Sequence, residues 1–439
     1  MSNPQSAVLV SQAVREHQVG HFSEAEALYL KALEFNAIDA DALALLGTLH
    51  LQQGREDIGL SFAVKGLICE PDQATSYNNL GLVLKALSHP GGAIRCYIQA
   101  TVINPDFGDA HNNMGVIYRS EGALPKAIEC YRNALDADPT LGEAYNNLAN
   151  ALQDLGEIEE AVDQYLLASQ HMPNSDTVHH NVGLLLDRQG RKQEALSHFH
   201  QALAINPDRD DTKHLVAALS GKTTEAAPPA YVKDLFDSYA HRFEAHLVGE
   251  LQYSTPKEIL EVLGVGGAAD RQFRLVLDLG CGTGLAGEKV RGQADWLEGV
   301  DLSAKMLQQA ENKGAYNRLH EADIVNFLQN CEWQPDLMLA ADVLVYLGRL
   351  EPLFSVVGKR LAPGGLFAFS VEAAGPGESW TLRASGRYAH SQSYIRELVE
   401  ENGMRLVAQR NCMLRMDRGK PIEGFVLLAA KPTLDGSPS

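Results

Sequence analysis

Between residues 6 and 209 apolar positions fall at three- and four-residue steps in short blocks, the spacing of helices with one buried face. Glycine-centred breaks at Gly54, Gly122, Gly156 and Gly190 split the blocks into pairs, and a proline closes one pair or opens the next. Pro71, Pro105, Pro139, Pro173 and Pro207 stand 34 residues apart. In the same frame recur Ala93, Ala127, Ala161 and Ala195, each followed four positions on by Tyr97, Tyr131, Tyr165 or Phe199. Gly47, Gly81, Gly115 and Gly183 recur too, with Ala149 in their place once. A helix pair cannot bury its apolar face alone, so this period predicts a stacked superhelix with a concave groove. The small residues would admit close helix approach, and the aromatic would fill the gap to the neighbouring repeat.

The pattern changes class after "GKTTEAAPPA", residues 221–230, whose Pro-Pro pair and lack of periodicity predict a semi-stiff linker. From Lys257 to Lys431 strand-like runs ("RLVLDLG", "WLEGVD", "RLHEAD", "DLMLAAD", "GLFAFSV", "RLVAQR", "GFVLLAA") alternate with helical ones. That alternation predicts a mainly parallel sheet covered by helices on both faces, with ligands beyond the carboxyl ends of its strands. Just before it, Phe236, Tyr239, Phe243 and Leu247 form one apolar helical face within residues 231–256.

The repeats resemble the tetratricopeptide repeat: six tandem copies, the first lacking the proline (Ala37), then a solvating cap at 210–220, together residues 6–220. Asn79, Asn113, Asn147 and Asn181 share one position of the first helices. A side-chain amide offers one acceptor and two donors, so such a column suits the backbone of an extended peptide. It resembles the asparagine ladder of protein O-linked N-acetylglucosamine transferases, which implies a protein or peptide partner in the groove. The alternative is asparagine tolerated on a solvated face beside Asn78, Asn112 and Asn146.

With 45% hydrophobic residues in 439, the chain is globular. A net charge of −19 argues against broad nucleic-acid or anionic-membrane binding. The first residues lack a basic stretch before an apolar core, and no apolar run reaches the ~18 residues of a spanning helix, so a cytoplasmic protein is expected. Six cysteines without a C-x-x-C pair point to reduced thiols and no metal site.

"LVLDLGCGTGLAGEKV", residues 275–290, holds both Gly280-x-Gly282-x-Gly284 and Gly282-x-Gly284-x-x-Gly287, the second being the dinucleotide pattern. Asp278, two residues before the turn, would repel a pyrophosphate and suits a cationic ligand. Asp301, ending "LEGVD", is placed for two ribose hydroxyls, which by itself fits a nicotinamide cofactor equally well. Asp323 in "HEADI" is placed to accept from an adenine amino group.

In order, "LVLDLGCGTG", "GVDLSAKML", "HEADI", "PDLMLAADVLVYL" and "LAPGGLFAFSVE" resemble the motifs of class I S-adenosylmethionine-dependent methyltransferases over residues 231–431. The resemblance implies a Rossmann-like α/β domain with a seven-stranded sheet, one strand antiparallel. It implies S-adenosylmethionine with its methionine part near Gly280, Gly282 and Gly284, its ribose at Asp301 and its adenine around Asp323 and Ile324, with Cys281 and Leu302 also among the cofactor-binding residues. The 231–256 segment together with the repeats resembles bacterial tetratricopeptide-containing methyltransferases, in which such a helix lids the cofactor; Tyr239 and His246 are the candidates there. The whole is a multidomain chain ending in a flexible tail, 432–439.

Asp342 and Tyr346 fall at the end of the fourth strand, near the methyl group in this frame, and their setting departs from the Asn/Asp-Pro-Pro-aromatic signature of amide and nucleobase amine methyltransferases. "WTLRASGRYAHSQSY" offers Trp380, Arg383, Arg387 and Tyr388 as substrate contacts for an acidic acceptor, with His390 or Asp342 as base. A loop held by local hydrogen bonds is the alternative for 387–390. The favoured function is a methyltransferase whose repeats recruit a protein or peptide acceptor or a partner. The alternatives are a small-molecule or carrier-bound O-methyltransferase with repeats used for assembly, and a non-catalytic scaffold.

Overall fold

The computed structural model describes residues 4–240, 243, 253–417 and 419–433, without the side chains of Ser238 and Tyr239. Two compact units divide the chain, residues 1–206 and 207–439.

The first unit is built of helices α1 (Pro4–Gln18) to α12 (Lys192–Ile205), packed in six consecutive pairs. In the pairs α5 (Ala74–Ala86) with α6 (Pro90–Ile103), and α7 (Gly108–Ser120) with α8 (Leu124–Ala137), the 34-residue frame becomes a contact. A Cβ on Gly81 would lie 2.5 Å from the Tyr97 ring, and one on Gly115 2.5 Å from the Tyr131 ring. The aromatic therefore lies on the glycine of its own repeat, where the missing side chain leaves room for the ring, and also reaches the next repeat as expected, Tyr97 sharing a buried cluster with Ala110, Met114 and Ile117 of α7. All of these rings are buried.

Asparagines link successive first helices. Asn113 Nδ2 donates to Asn78 Oδ1 at 3.0 Å, and Asn147 of α9 (Gly142–Leu155) donates to Asn112 Oδ1 at 3.0 Å. Asn79, Asn113, Asn147 and Asn181 are half-buried. Part of the column's donor capacity thus holds the stack together.

In the second unit the strands are β1 (Phe273–Leu279), β2 (Ala294–Asp301), β3 (Arg318–Glu321), β4 (Leu337–Ala340), β5 (Leu366–Ala373), β6 (Trp380–Leu382), β7 (Tyr388–His390), β8 (Arg405–Asp417) and β9 (Lys420–Ala430). β1 to β5 run parallel in the order β3-β2-β1-β4-β5; β9 pairs antiparallel with β5, and β8 with β9. Those seven form the expected sheet. Beyond the end of β4, whose pairing stops at Ala340↔Phe369, the β6–β7 hairpin pairs with β5 at Glu372↔Ala389 and Ala373↔His390, while β9 still pairs with Glu372 through Gly424. Successive strand residues point to opposite faces. Leu277 and Leu279 join Phe354, Phe367 and Phe369 on one side, while Val276 joins Leu297, Leu339 and Leu428 on the other. Residues buried on both faces explain why the strands read as near-continuous apolar runs.

Helix α13 (Asp210–Leu219), expected as a cap of the repeats, clusters with this second unit. Residues 221–230 are a strap rather than a linker. Glu225 O accepts from the amides of Gly348 (2.9 Å) and Arg349 (2.8 Å), and Ala227 N donates to Tyr346 O at 3.0 Å. The Thr224 hydroxyl meets the Tyr388 hydroxyl at 2.5 Å, and Thr223 Oγ1 accepts from Leu382 N. Prolines and small residues left this segment without periodicity, yet its backbone groups have partners in the fold. It leads into α14 (Pro229–Tyr239). Among the described residues no helix is long and apolar enough to cross a membrane, and no group of three or more His, Cys, Asp or Glu is arranged to hold a metal ion.

Candidate active site

The carboxyl ends of β1, β2 and β4 open into a crevice of about 1120 Å³, including its open mouth. Gly280 lies in the left-handed region at φ +66°, and a Cβ there would come 2.3 Å from Val343 Cγ2, so only glycine fits. Its N–H and that of Cys281 both donate to Val300 O, which folds the turn against the end of β2.

Two carboxylates face this turn. Asp301 Oδ2 accepts from Gly282 N at 2.9 Å and its Oδ1 from Ser303 N at 2.8 Å, while Ser303 Oγ donates to Asp237 of α14. Burial raises the Asp301 pKa against these hydrogen bonds. Asp278 is fully buried. Its Oδ2 accepts from the Tyr316 hydroxyl at 2.7 Å, whereas Oδ1 has no hydrogen-bond partner. Burial pushes its carboxyl up to about 7, opposed by the Tyr316 hydroxyl and reinforced by the charge of Asp301. Asp323 caps α18 (Ile324–Asn330) through Asn326 N at 2.9 Å and lines the crevice with Ile324 and Leu302.

The opposite wall is a buried ionic cluster. Asp342, just past β4, holds φ +62°, unusual for a residue with a side chain, and its N–H donates to Ser370 Oγ at 2.8 Å. Arg415 bridges Asp342 Oδ2 (3.1 Å) and Glu372 Oε1 (2.6 Å). The Arg387 guanidinium lies 5.4 Å over the Tyr346 ring, with Nη1 3.8 Å from Asp342 Oδ2 and 4.0 Å from Glu372 Oε1. Those distances are too long for hydrogen bonds, and Nη1 is buried without one. Burial works against its charge, but Tyr346, Asp342 and Glu372 around it raise its pKa and keep it charged. Asp278 Oδ1, Thr283 Oγ1, Asp342 Oδ1, Tyr346 OH and Arg387 Nη1 are all buried, lack partners and belong to crevice residues. Buried polar atoms are otherwise satisfied as a rule, so this concentration marks where a polar ligand completes the structure.

Of the residues singled out in the sequence, Asp278, Gly280, Cys281, Gly282, Asp301, Leu302, Asp323, Ile324, Asp342, Tyr346 and Arg387 line the crevice. Gly284 sits behind it, opening α16 (Leu285–Val290) against Tyr316. His390 is not brought to the crevice. It is fully buried, its Nε2 donates to Gly348 O at 3.0 Å, and burial lowers its pKa to about 4, so it pins the hairpin and takes no proton there. Trp380 packs edge-on against Tyr388, whose hydroxyl is taken by the strap; Arg383 donates to Ala373 O. None of these three lines the crevice. The Tyr239 side chain and His246 lie outside the described residues. Sequence reasoning missed Glu372, a charged residue inside the otherwise apolar strand β5, Arg415 on the mixed strand β8, which carries no such signal, and Val232 and Tyr253, which with Phe236 complete the wall.

Residues 277–367 match the family model described as a methyltransferase domain, and residues 115–156 and 140–208 match models for the TPR or tetratricopeptide repeat. A malonyl-[acyl-carrier protein] O-methyltransferase of Salmonella typhimurium is 29% identical over 172 residues, 39% of this chain and 65% of that protein. A trans-aconitate 2-methyltransferase of Paracidovorax citrulli is 36% identical over 98 residues, 22% and 38% of the two chains. This chain thus spans less than two thirds of either curated relative. Among solved structures, Pseudomonas aeruginosa pilF aligns with TM-score 0.40 and 19% identity over 48% of this chain and 97% of that one. Magnesium protoporphyrin IX methyltransferase (ChlM) from Synechocystis PCC 6803 with bound SAH aligns with TM-score 0.36 and 18% identity over 46% and 99%. The chain therefore carries tetratricopeptide repeats and, after them, a methyltransferase domain of the kind that draws its methyl group from S-adenosylmethionine.

Proposed function

We propose that the second unit transfers a methyl group from S-adenosylmethionine to a carboxylate oxygen of an anionic acceptor held by Arg387, and that the repeats recruit the protein that presents this acceptor. The donor half fits S-adenosylmethionine in charge. Asp278 Oδ1, buried without a partner, suits an ammonium group, Asp301 suits ribose hydroxyls, and Asp323 with Ile324 suits the adenine. When bound, the cofactor supplies a methyl group already activated by its sulfonium.

The acceptor half carries the reading, and Arg387 is the observation behind it. Arg383, Arg387 and Arg415 stand against Asp342 and Glu372, and the charge of Asp417 also acts on Arg387. Arg387 is the member of that set with an unpartnered donor in the crevice wall, matched to one carboxylate. A carboxylate is ionised at neutral pH, so this acceptor needs no base, in keeping with a His390 that is locked away. Alignment and water exclusion then supply the rate, the latter from Val232, Phe236 and Leu347. The printed names of both relatives, a malonyl carrier enzyme and an aconitate enzyme, also describe acceptors with free carboxylates. On the repeats, Asn113 and Asn147 each use an amide proton between helices, and their carbonyl oxygens suit backbone N–H donors of a partner.

The test is incubation of cell extract and full-length protein with methyl-labelled S-adenosylmethionine. Label released as methanol by mild alkali marks a methyl ester, as expected; label that withstands alkali refutes carboxylate methylation. Arg387→Leu should abolish the labile fraction without weakening S-adenosylhomocysteine binding.

A further inference from the structure

His214 of α13 is buried, yet no step of the chemistry uses it. Its Nε2 donates to Gly386 O at 2.9 Å, and its ring lies 5.2 Å from that of Tyr231 and 6.0 Å from that of Tyr388. The accepting carbonyl belongs to the peptide bond leading into Arg387. Gly386 turns the hairpin at φ +76°, with Gly386 N donating to Arg383 O and Arg383 N to Arg387 O, both at 2.9 Å. A Cβ on Gly386 would meet the Tyr231 hydroxyl at 3.2 Å, so the turn is clasped between α13 and α14. His214 Nδ1 is buried without a partner, which leaves the ring neutral with its one proton on Nε2.

We infer that His214 is a positioning residue for acceptor recognition: by holding the Gly386–Arg387 peptide plane it sets where the Arg387 guanidinium meets the acceptor. The catalytic unit accordingly starts at α13, ahead of the strap. The meaning for catalysis rests on the carboxylate reading, whereas the effect on Arg387 stands on geometry alone. A residue that only filled space would be replaced well by leucine. A residue whose role is one donated hydrogen bond is replaced by glutamine, whose amide reaches the place of Nε2, and not by asparagine, which is one methylene shorter.

The experiment compares full-length wild type with His214→Leu, His214→Asn, His214→Gln and Arg387→Leu. Calorimetry measures S-adenosylhomocysteine and, in its presence, malonyl-N-acetylcysteamine, a monocarboxylate probe; crystal structures of the His214 variants report the position of Arg387. Expected is an about tenfold weaker probe affinity for His214→Leu and His214→Asn, near wild type for His214→Gln, and unchanged S-adenosylhomocysteine affinity in all. Should His214→Leu not fold, the asparagine and glutamine pair carries the comparison. Probe affinity lost in Arg387→Leu but kept in both His214→Leu and His214→Asn overturns the inference and leaves the carboxylate reading intact. Probe affinity kept in Arg387→Leu overturns the carboxylate reading instead. The structure of His214→Asn then decides, an unmoved guanidinium over Tyr346 refuting the positioning role and a displaced one supporting it.

Discussion

Replacing Asp278 by asparagine should make the ligand-free protein more stable while weakening its hold on the cofactor. The folded protein binds the Asp278 proton more tightly than the unfolded chain, because its carboxyl titrates at about 7 rather than 3.8. Protons therefore favour the fold, and this group's contribution to stability is lost as pH rises from about 4 through about 7. At about 1.4 kcal/mol per unit, the buried charge costs roughly 4 kcal/mol at pH 8 and roughly half that at pH 5.5. Asparagine removes that cost and still accepts from Tyr316, but its amide takes the place of the unpartnered Oδ1 and leaves a buried donor unsatisfied. Subtracting about 1–2 kcal/mol for that leaves a gain of about 2–3 kcal/mol. For a unit of this size the gain is a rise in melting temperature of about 5–10 °C at pH 8. Losing a charge-assisted bond to the ligand's ammonium costs about 1.5–3 kcal/mol, roughly ten- to a hundredfold in affinity. Differential scanning calorimetry at pH 8 and pH 5.5 without ligand, and titration with S-adenosylhomocysteine at pH 8, measure both. A variant that melts below wild type at pH 8, or binds as tightly, would refute the reasoning.

Three further outcomes follow from packing. Gly115→Val drives a side chain into the Tyr131 ring and should destabilise the first unit by about 1–3 kcal/mol or more in urea unfolding, while leaving S-adenosylhomocysteine affinity untouched. Arg415→Met strands the buried carboxylates of Glu372 and Asp342 and should cost about 3–5 kcal/mol, with Arg415→Met/Glu372→Met recovering much of it; equal stability of single and double variants contradicts the ionic account. Truncation to residues 207–439 should bind S-adenosylhomocysteine as the full chain does. Removing α13 as well, by starting at residue 221, should uncover the Gly386 turn and lower the melting temperature; identical melting of the two truncations would count against an integral α13.

Local repetition is why the first unit was so legible: a 34-residue frame sets Gly81 and Tyr97 sixteen positions apart, and the same spacing recurs. That the ring lies on that glycine as well as against the next repeat was not written there, since a ring's direction depends on helix rotation that spacing leaves open. In the second unit the donor half was legible because Asp278, Gly280, Asp301 and Asp323 lie at strand ends that apolar runs announce. The acceptor half depends on pairs distant in sequence, such as Arg415 with Glu372 and Arg387 with Asp342, which no local pattern joins. Strands β6 and β7 span three residues each, too short for any alternation to show. His390 misled because a histidine beside arginines invites a chemical role, and the carbonyl of Gly348 that occupies it is 42 residues away.

The β6–β7 hairpin touches the main sheet through two residue pairs at the tip of β5, yet it brings Arg387 to the crevice. On the proposed reading, donor handling belongs to the main sheet, and the choice of what gets methylated to a hairpin of about ten residues at its rim. Exchanging that hairpin, together with the helix that clasps it, then offers a route to new acceptors that leaves the machinery for the methyl source undisturbed.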